Sequence, residues 1–521
     1  MKFSHYRTEF FTTQEEIMHI TKTLFTEFTT TPKLAWFHMH DKETYNQILE
    51  AEYGAMDGAQ IGQSIEDQVK ALLWTHTIVT PEWDYDACAT ETQQLLASQP
   101  AVIYQPRFQS DNLMIRCDFL VRNAEWTYDL REVKAKNTVR KTTKAEPLLD
   151  ELISDISFQK YVLEQTLWSA FSGKCFLVYL NKDYVRQGDL DIAQLIKTEE
   201  VTHKMMTSEQ VSQIITTMQA QLPLEREAFE TIYPYNNDDY LTYFGEPAPK
   251  WSIRYIPWIG NKKKTLYESW MTDILTLWEQ EKKLLLSSKW EVSKASQYVD
   301  LYQQGETVIN TDWVKNKLSQ LHYPLFFYDY ETVTSPVPLF DGTSPRQHIV
   351  VQYSVHKIDA DGTITHKEAL IDGSIANNKA IIDQLYHDLE WWQWSYIVWF
   401  KWFENKRNEE TALMYPEYKQ FFETVNTNTF DLMEVFSEFH YFDRRFKGSA
   451  SIKKVLPVLT DITYDGLEVP NWAVATGLLL DIATGKLTGE LLATHRDNLL
   501  TYCEQDTWAM VRIWQELVKK S

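Results

Sequence analysis

Leu325-Phe326-Phe327-Tyr328-Asp329-Tyr330-Glu331-Thr332 is the stretch that decides the fold. An apolar run ends in two carboxylates, Asp329 and Glu331, at i and i+2, and alternate residues of a strand share one face. Two acids at the end of a buried strand call for a cation, because an unpaired buried charge costs several kcal/mol. Downstream the sequence predicts a turn rich in Pro and Gly, a second strand from Ile349 to Lys357, a helix over Ala380–Trp391 and a third strand over Tyr396–Phe400. More helices follow, the last from about Asp497 to Leu517. Strands first and alternating helices afterwards predict an α/β layer architecture. On the last helix Tyr502 and Asp506 are four apart and lie one above the other.

The chain has 521 residues, which at about 100–200 residues per domain argues for two to four domains. With 44% hydrophobic and 24% charged residues it is an ordered globular protein. A net charge of −22 excludes a coat that binds nucleic acid through overall charge. It does not exclude a nuclease, since carboxylates that hold metal ions push the balance the same way. The cysteines, Cys88, Cys117, Cys175 and Cys503, form no CxxC pair, so no disulfide framework or four-thiolate site is expected. The N-terminus lacks the order of a signal peptide. Trp391 to Phe403, the most apolar stretch, is too short to span a bilayer and contains Gln393, Ser395 and Lys401. A cytoplasmic location with no membrane partner is the expectation.

Upstream, residues 1–55 read as mixed helix with a loop at Thr29 to Pro32, and Gly58 to Trp74 as a helix. Leu113–Val121 and Trp126–Lys134 alternate around Arg122-Asn123-Ala124-Glu125, a β-hairpin signature. A helix over Leu148–Leu167 and a strand over Lys174–Leu180 complete an α+β domain. We divide the chain into that domain (1–205), a mostly helical connector (206–320) and a C-terminal α/β domain (321–521). Asp118 lies in the first hairpin arm, with Glu132 and Lys134 on one face of the second. Their hard oxygens favour Mg²⁺ or Mn²⁺, and the ammonium can assist an attacking water. Glu66 lies on an upstream helix able to add a ligand, and Gln159 on the helix after the hairpin. Arg131, Lys136, Arg140, Lys141 and Lys144 form a basic tract able to hold phosphates. The same residues also fit the solvent face of an amphipathic hairpin.

Glu66, Asp118, Glu132-x-Lys134 and Gln159 with Lys160 and Tyr161 resemble, in order, the PD-(D/E)XK nucleases of the RecB and Cas4 type. That resemblance implies a restriction-endonuclease-like N-terminal domain in which Glu66, Asp118 and Glu132 bind the metal. The strand DxE with the helix pair Tyr502 and Asp506 resembles the tyrosine subclass of DEDD exonucleases, which have a DnaQ-like, ribonuclease H-like fold. It implies two metal ions held by Asp329, Glu331, a middle acid and Asp506, with Tyr502 orienting the water. Glu404 is the candidate middle acid. Asp431 is its rival, and also reads as a helix cap with Glu434 at the capping-box spacing.

End to end the chain resembles a bacterial family labelled a domain of unknown function, number 2779, in which a Cas4-like half precedes an exonuclease half. Tyr328-Asp329-Tyr330-Glu331-Thr332-Val333, Gly448 to Pro457, Tyr502 to Val511, Phe158 to Leu163 and Leu180 to Val185 carry the likeness. Relatives often hold cysteines between the halves; with none from 176 to 502 here, no iron–sulfur cluster is expected. Around Gly448 to Pro457, the basic residues Arg444, Arg445, Lys447, Lys453 and Lys454 read either as a grip on a nucleic-acid backbone or as a solvated face, with Ser451 as a helix cap. His348 reads as a structural histidine. The expected protein is a Mg²⁺- or Mn²⁺-dependent nuclease acting on nucleic acid, DNA in preference to RNA. The alternative is a module that binds nucleic-acid ends, with one or both centres degenerate.

Overall fold

A computed structural model describes residues 18–53, 76–77, 84–141, 147–233, 251–259, 262–269, 271–277, 283–285, 293–469 and 471–520. The chain is mixed α/β and falls into two compact units. One comprises Met1–Lys42, Gly62–Tyr179 and Ile196–Ile232, and the other Glu43–Ile61, Leu180–Leu195 and Tyr233–Ser521. The expected helix over Gly58–Trp74, and Glu66 with it, lies outside the described residues.

In the first unit a six-stranded sheet runs His76–Thr77, Val102–Tyr104, Phe119–Arg122, Tyr128–Lys134, Phe171–Leu180 and Ile196–Glu200 in spatial order. The hairpin forms between Phe119–Arg122 and Tyr128–Lys134, with Phe119 opposite Arg131. Asn123 closes its loop by accepting from the backbone N–H groups of Glu125 (3.0 Å) and Thr127 (3.2 Å). The first arm is not continuous as expected. It breaks at Cys117-Asp118, and Leu113–Arg116 joins a separate three-stranded sheet with Ile20–Thr21 and Arg107–Ser110. The residues 29–32 loop is also shorter than expected, since Thr31 alone separates helices Lys22–Thr30 and Pro32–His40. Helix Lys22–Thr30 packs on helix Asp150–Thr166 through the stacked rings of Phe25 and Phe158, 4.7 Å apart.

In the second unit a five-stranded sheet has the spatial order Ile364–Leu370, Ile349–Ile358, Leu325–Val333, Ser395–Val398, Thr429–Asp431. The first three are antiparallel and the last two run parallel to the central strand. Alternation along that strand sets the layers. Phe326, Tyr328 and Tyr330 enter one core, while Leu325 and Phe327 enter the other with Ala509, Met510 and Ile513 of the C-terminal helix, Gly489–Lys520. The helix is longer than the sequence signalled, and the edge strand Ile364–Leu370 was not foreseen, because its exposed face carries Thr365 and Lys367 rather than an apolar run.

The stretch read as a connector is shared between the units. From Tyr233 on it belongs to the second, where Ile253, Ile256, Leu266, Tyr298 and Tyr302 bury a core of their own with Phe442. Strand Thr307–Ile309 pairs antiparallel with Tyr441–Asp443 beside it. Gly448 closes this region. Its φ is +73°, and a Cβ there would lie 1.9 Å from the Tyr255 carbonyl oxygen, which is backbone and cannot yield cheaply. Gly448→Ala should therefore lower unfolding stability by about 2–4 kcal/mol, combining left-handed strain with overpacking. Urea unfolding of variant and parent checks this, and an unchanged midpoint would contradict it.

Candidate metal centres

The rear cluster grows from the central strand. Leu325 and Phe327 point toward the C-terminal helix, so alternation carries Asp329 and Glu331 to the same face. One donor atom from each of Asp329, Glu331 and Cys503 lies within 4.8 Å of the others. Glu404, 3% exposed on helix Lys401–Met414, hydrogen-bonds to Asp329 side chain to side chain, a bond between two carboxyls that needs a shared proton. Its Oε2 is buried and has no partner. Asp506 accepts from the Tyr464 hydroxyl at 2.6 Å. The Tyr502 hydroxyl accepts from Lys453 Nζ at 3.3 Å, and that ammonium sits 5.0 Å from the ring centroids of both Tyr464 and Tyr502.

Burial dominates the electrostatics, and repulsion between the acids adds to it. Burial, then the charge on Asp506, pushes the Asp329 carboxyl well above the usual range. Glu331 is raised by burial, Asp329 and Asp506; Glu404 is raised by burial, Asp329 and Glu331. Burial pushes Asp506 up to about 6 against the opposing pull of the Tyr464 hydrogen bond and Lys453. Burial holds the Cys503 thiol in its protonated form, a poor ligand, which leaves the carboxylate oxygens, one of them orphaned, as the donors, and these fit a hard divalent cation.

Asp431, the rival middle acid, is a cap. It accepts from the backbone N–H groups of Phe400 (3.2 Å), Lys401 (3.0 Å) and Met433 (3.0 Å). The helix it holds is the one that carries Glu404, not the Glu434–Ser437 turn that the capping-box spacing suggested. Phe400 sits there at φ 111°, a costly conformation for a bulky residue, and two of those three bonds hold it.

The front cluster is built differently. Asp118, at the break between strands, accepts from the Val133 N–H at 2.7 Å. Glu132 is wholly buried; its Oε1 accepts from Lys134 (2.6 Å) and Lys22 (3.0 Å), and its Oε2 from Gln159 (2.9 Å). Gln159 also donates to Asp155 (2.7 Å), whose other oxygen accepts from Lys134 at 2.7 Å. Burial alone would lower the pKa of both lysines, but Asp155, Glu132 and Asp118 outweigh it and raise them.

Sequence reasoning missed Lys22, Asp155 and Tyr464. Asp155 had a signal, since it precedes Gln159 by four and shares its helix face. Lys22, 110 residues before Glu132, and Tyr464 had none. The basic tract of the first unit is largely engaged internally: Arg140 with Glu199 (2.6 Å), Lys141 with Asp150 (2.7 Å) and Lys136 with Glu151 (3.3 Å). Lys144 lies outside the described residues. In the second unit Arg445 pairs with Asp443 (2.7 Å) and Arg444 donates to the Tyr302 carbonyl (2.9 Å), so of that group Lys453 is the one at the carboxylates. Ser451 precedes helix Ile452–Leu459 but makes no side-chain cap bond. His348 bonds Thr332 Oγ1 at 2.8 Å, a structural role.

Residues 326–451 match DUF2779, a domain of unknown function. The DUF2779 segment holds Asp329, Glu331, Glu404 and Asp431, whereas Lys453, Tyr464, Tyr502 and Asp506 follow it. The uncharacterized protein MG366 homolog of Mycoplasma pneumoniae is 31% identical over 209 residues, covering 36% of this chain and 31% of that protein. The uncharacterized protein MG366 of Mycoplasma genitalium is 28% identical over 229 residues, covering 40% and 34%. The chain thus spans about a third of the length of these curated relatives. A solved structure titled "Crystal structure of SSO0001" aligns at 13% identity with a TM-score of 0.23, over 46% of this chain and 84% of that one. No helix among the described residues is long and apolar enough to cross a membrane.

The raised carboxyls make a signed prediction. A carboxyl whose pKa rises on folding contributes stability while protonated, and loses it as pH climbs from the unfolded value toward the folded one. For Asp506 that window runs from 3.8 to about 6. With EDTA present, Asp506→Asn should be more stable than the parent by about 1–2 kcal/mol at pH 8 and equal to it near pH 4. Thermal melts across that range test it, and a variant no more stable at pH 8 would refute a cost of burying the Asp506 charge.

Proposed function

We propose that the chain is a divalent-metal-dependent nuclease that hydrolyses phosphodiester bonds of nucleic acid, DNA in preference to RNA. Its principal centre is a DEDD-type 3′→5′ exonuclease site at Asp329, Glu331, Glu404 and Asp506, and its second a PD-(D/E)XK-type site at Asp118, Glu132 and Lys134. The observation that carries this reading is the convergence, from three separate stretches of chain, of four proton-retaining carboxylates around Tyr502 and Lys453. The strand order of the second unit, third, second, first, fourth, fifth with the second reversed, supports a ribonuclease H-like, DnaQ-like reading of that unit.

The four carboxylates would hold Mg²⁺ or Mn²⁺, which when bound polarises phosphoryl oxygens and lowers the pKa of water. The Tyr502 hydroxyl is placed to orient the water, and the Lys453 ammonium beside it to offset charge building on the phosphate. Phe400 and Trp402, exposed by 43% and 66% just ahead of Glu404 with ring centroids 5.9 Å apart, offer a surface on which a base can stack.

One feature of the first unit favours a second reading for its own centre. Lys22 adds a second ammonium to the carboxylates that Lys134 already meets. Two ammoniums set against Asp118, Glu132 and Asp155 offset most of the charge that a metal ion would otherwise answer, so the front centre would bind nucleic acid without turnover and the rear one cut it.

End-labelled single- and double-stranded DNA and RNA, incubated with Mg²⁺, Mn²⁺ or EDTA, test both. Asp329→Ala should lower cleavage by at least about a hundredfold, near 3 kcal/mol in the barrier. Asp118→Ala should remove a separable activity if the front site turns over, and only weaken binding if it grips. Parental cleavage by the double variant would end the nuclease reading.

A further inference from the structure

A second group of metal-ligating side chains lies on the sheet face beneath the C-terminal helix. Strand register sets His356 opposite His366 and Ser354 opposite Glu368, so the four share one face. Thr507 and Glu504 meet them from the helix. One donor atom from each of His356, His366 and Glu504 lies within 4.8 Å of the other two. The two imidazoles stack with centroids 4.4 Å apart.

One placement of the protons satisfies every bond of this network. The Thr507 hydroxyl donates to the Glu504 carbonyl at 3.0 Å, so toward its other two neighbours it can only accept. It therefore accepts from Ser354 Oγ (2.7 Å) and from His356 Nδ1–H (2.8 Å). With its own proton on Thr507, Ser354 accepts from His366 Nε2–H at 2.9 Å. Each neutral ring then keeps one bare lone pair, His356 on Nε2 and His366 on Nδ1.

Two acceptors now face one another: His366 Nδ1 lies 3.6 Å from Glu504 Oε1, with no proton between them in this scheme. The His356 ring is 4% exposed, and among the described residues its hydrogen bond is made through Nδ1. Beside them Glu368 Oε2 is buried without a partner. Two imidazoles and a carboxylate within ligand reach of one another, each ring held by a hydroxyl and with a buried partnerless carboxylate oxygen beside them, form the donor set and outer support of a transition-metal site. A tetrahedral ion at 2.0–2.1 Å from its donors sets them about 3.3–3.4 Å apart, close to the His366–Glu504 spacing.

We propose that His356, His366 and Glu504 bind one Zn²⁺, with Glu368 or water as the fourth ligand, separately from the carboxylate centre on the same helix. Nitrogen donors choose this class of ion over the hard cations suited to oxygen-only cages. The site joins the edge strand Ile364–Leu370 to the C-terminal helix and thus ties down the element that carries Tyr502 and Asp506.

The full-length chain, stripped with EDTA, is titrated with Zn²⁺ by calorimetry and with Co²⁺ by visible absorption, which reports nitrogen and oxygen ligation directly. With excess Mg²⁺ present to occupy the carboxylate centre, one equivalent should bind the parent and Asp329→Asn alike. His366→Gln and Glu504→Gln, at partly exposed positions that leave the core intact, should each weaken binding by about tenfold or more. Unfolding midpoints of both variants without metal should match the parent, so that lost binding is not lost fold. Absence of saturable Zn²⁺ binding, binding unaffected by His366→Gln, or loss of binding in Asp329→Asn would each overturn the proposal.

Discussion

The cost of burying carboxylates side by side is the constraint around which the second unit is organised. Asp329 and Glu331 stand on the helix-facing side of a strand whose earlier residues on that side, Leu325 and Phe327, are core. Geometry leaves the acids no route to water except the strand's end. Glu404 and Asp506 then approach from two helices; Asp506 raises the affinity of Asp329 and Glu331 for protons, and those two raise that of Glu404. A fold that needed only stability would place apolar residues here. The retention of Asp431 as a cap beneath Phe400, whose backbone is otherwise disfavoured, fits the same pressure: the helix start is held where Glu404 reaches Asp329.

The two clusters answer the cost of buried charge in opposite ways. In the first unit Lys22 and Lys134 meet Glu132 and Asp155, and Gln159 satisfies one oxygen of each acid. In the second, Lys453 donates to the Tyr502 hydroxyl, and burial makes the acids hold their protons. One cluster is therefore balanced by the protein's own cations, and the other is poised to take up charge from outside.

How far these arrangements were legible in the sequence depends on the range over which each residue's partners lie. Asp329 with Glu331, and Tyr502 with Asp506, are local pairs whose spacing declares a shared face, so strand and helix periodicity reveals them. Glu132 and Lys134 are visible for the same reason. The hairpin's turn was readable through Asn123, but the break at Cys117-Asp118 was not, because the β-favouring residues on either side of it form one alternating run. Glu404 against Asp431 could not be decided by pattern, since both are acids after a strand; only the backbone N–H groups that Asp431 accepts separate them. Lys22 and Tyr464 reach their partners through tertiary packing with no periodic trace. The DUF2779 match stops at residue 451, two positions before Lys453 and well before Asp506, so half of the rear cluster lies beyond the segment that the family model describes.

The placement of Lys22 bears on how the first unit can be subdivided. Its ammonium reaches Glu132 from the opening turn of helix Lys22–Thr30, and that helix is fixed by Phe25 stacking on Phe158, one residue before Gln159. Hairpin and following helix alone are thus not a self-sufficient cassette. A shortened polypeptide starting past Thr30 would strip one positive charge from Glu132, uncover Phe158, and leave Asp155 and Glu132 sharing a single lysine.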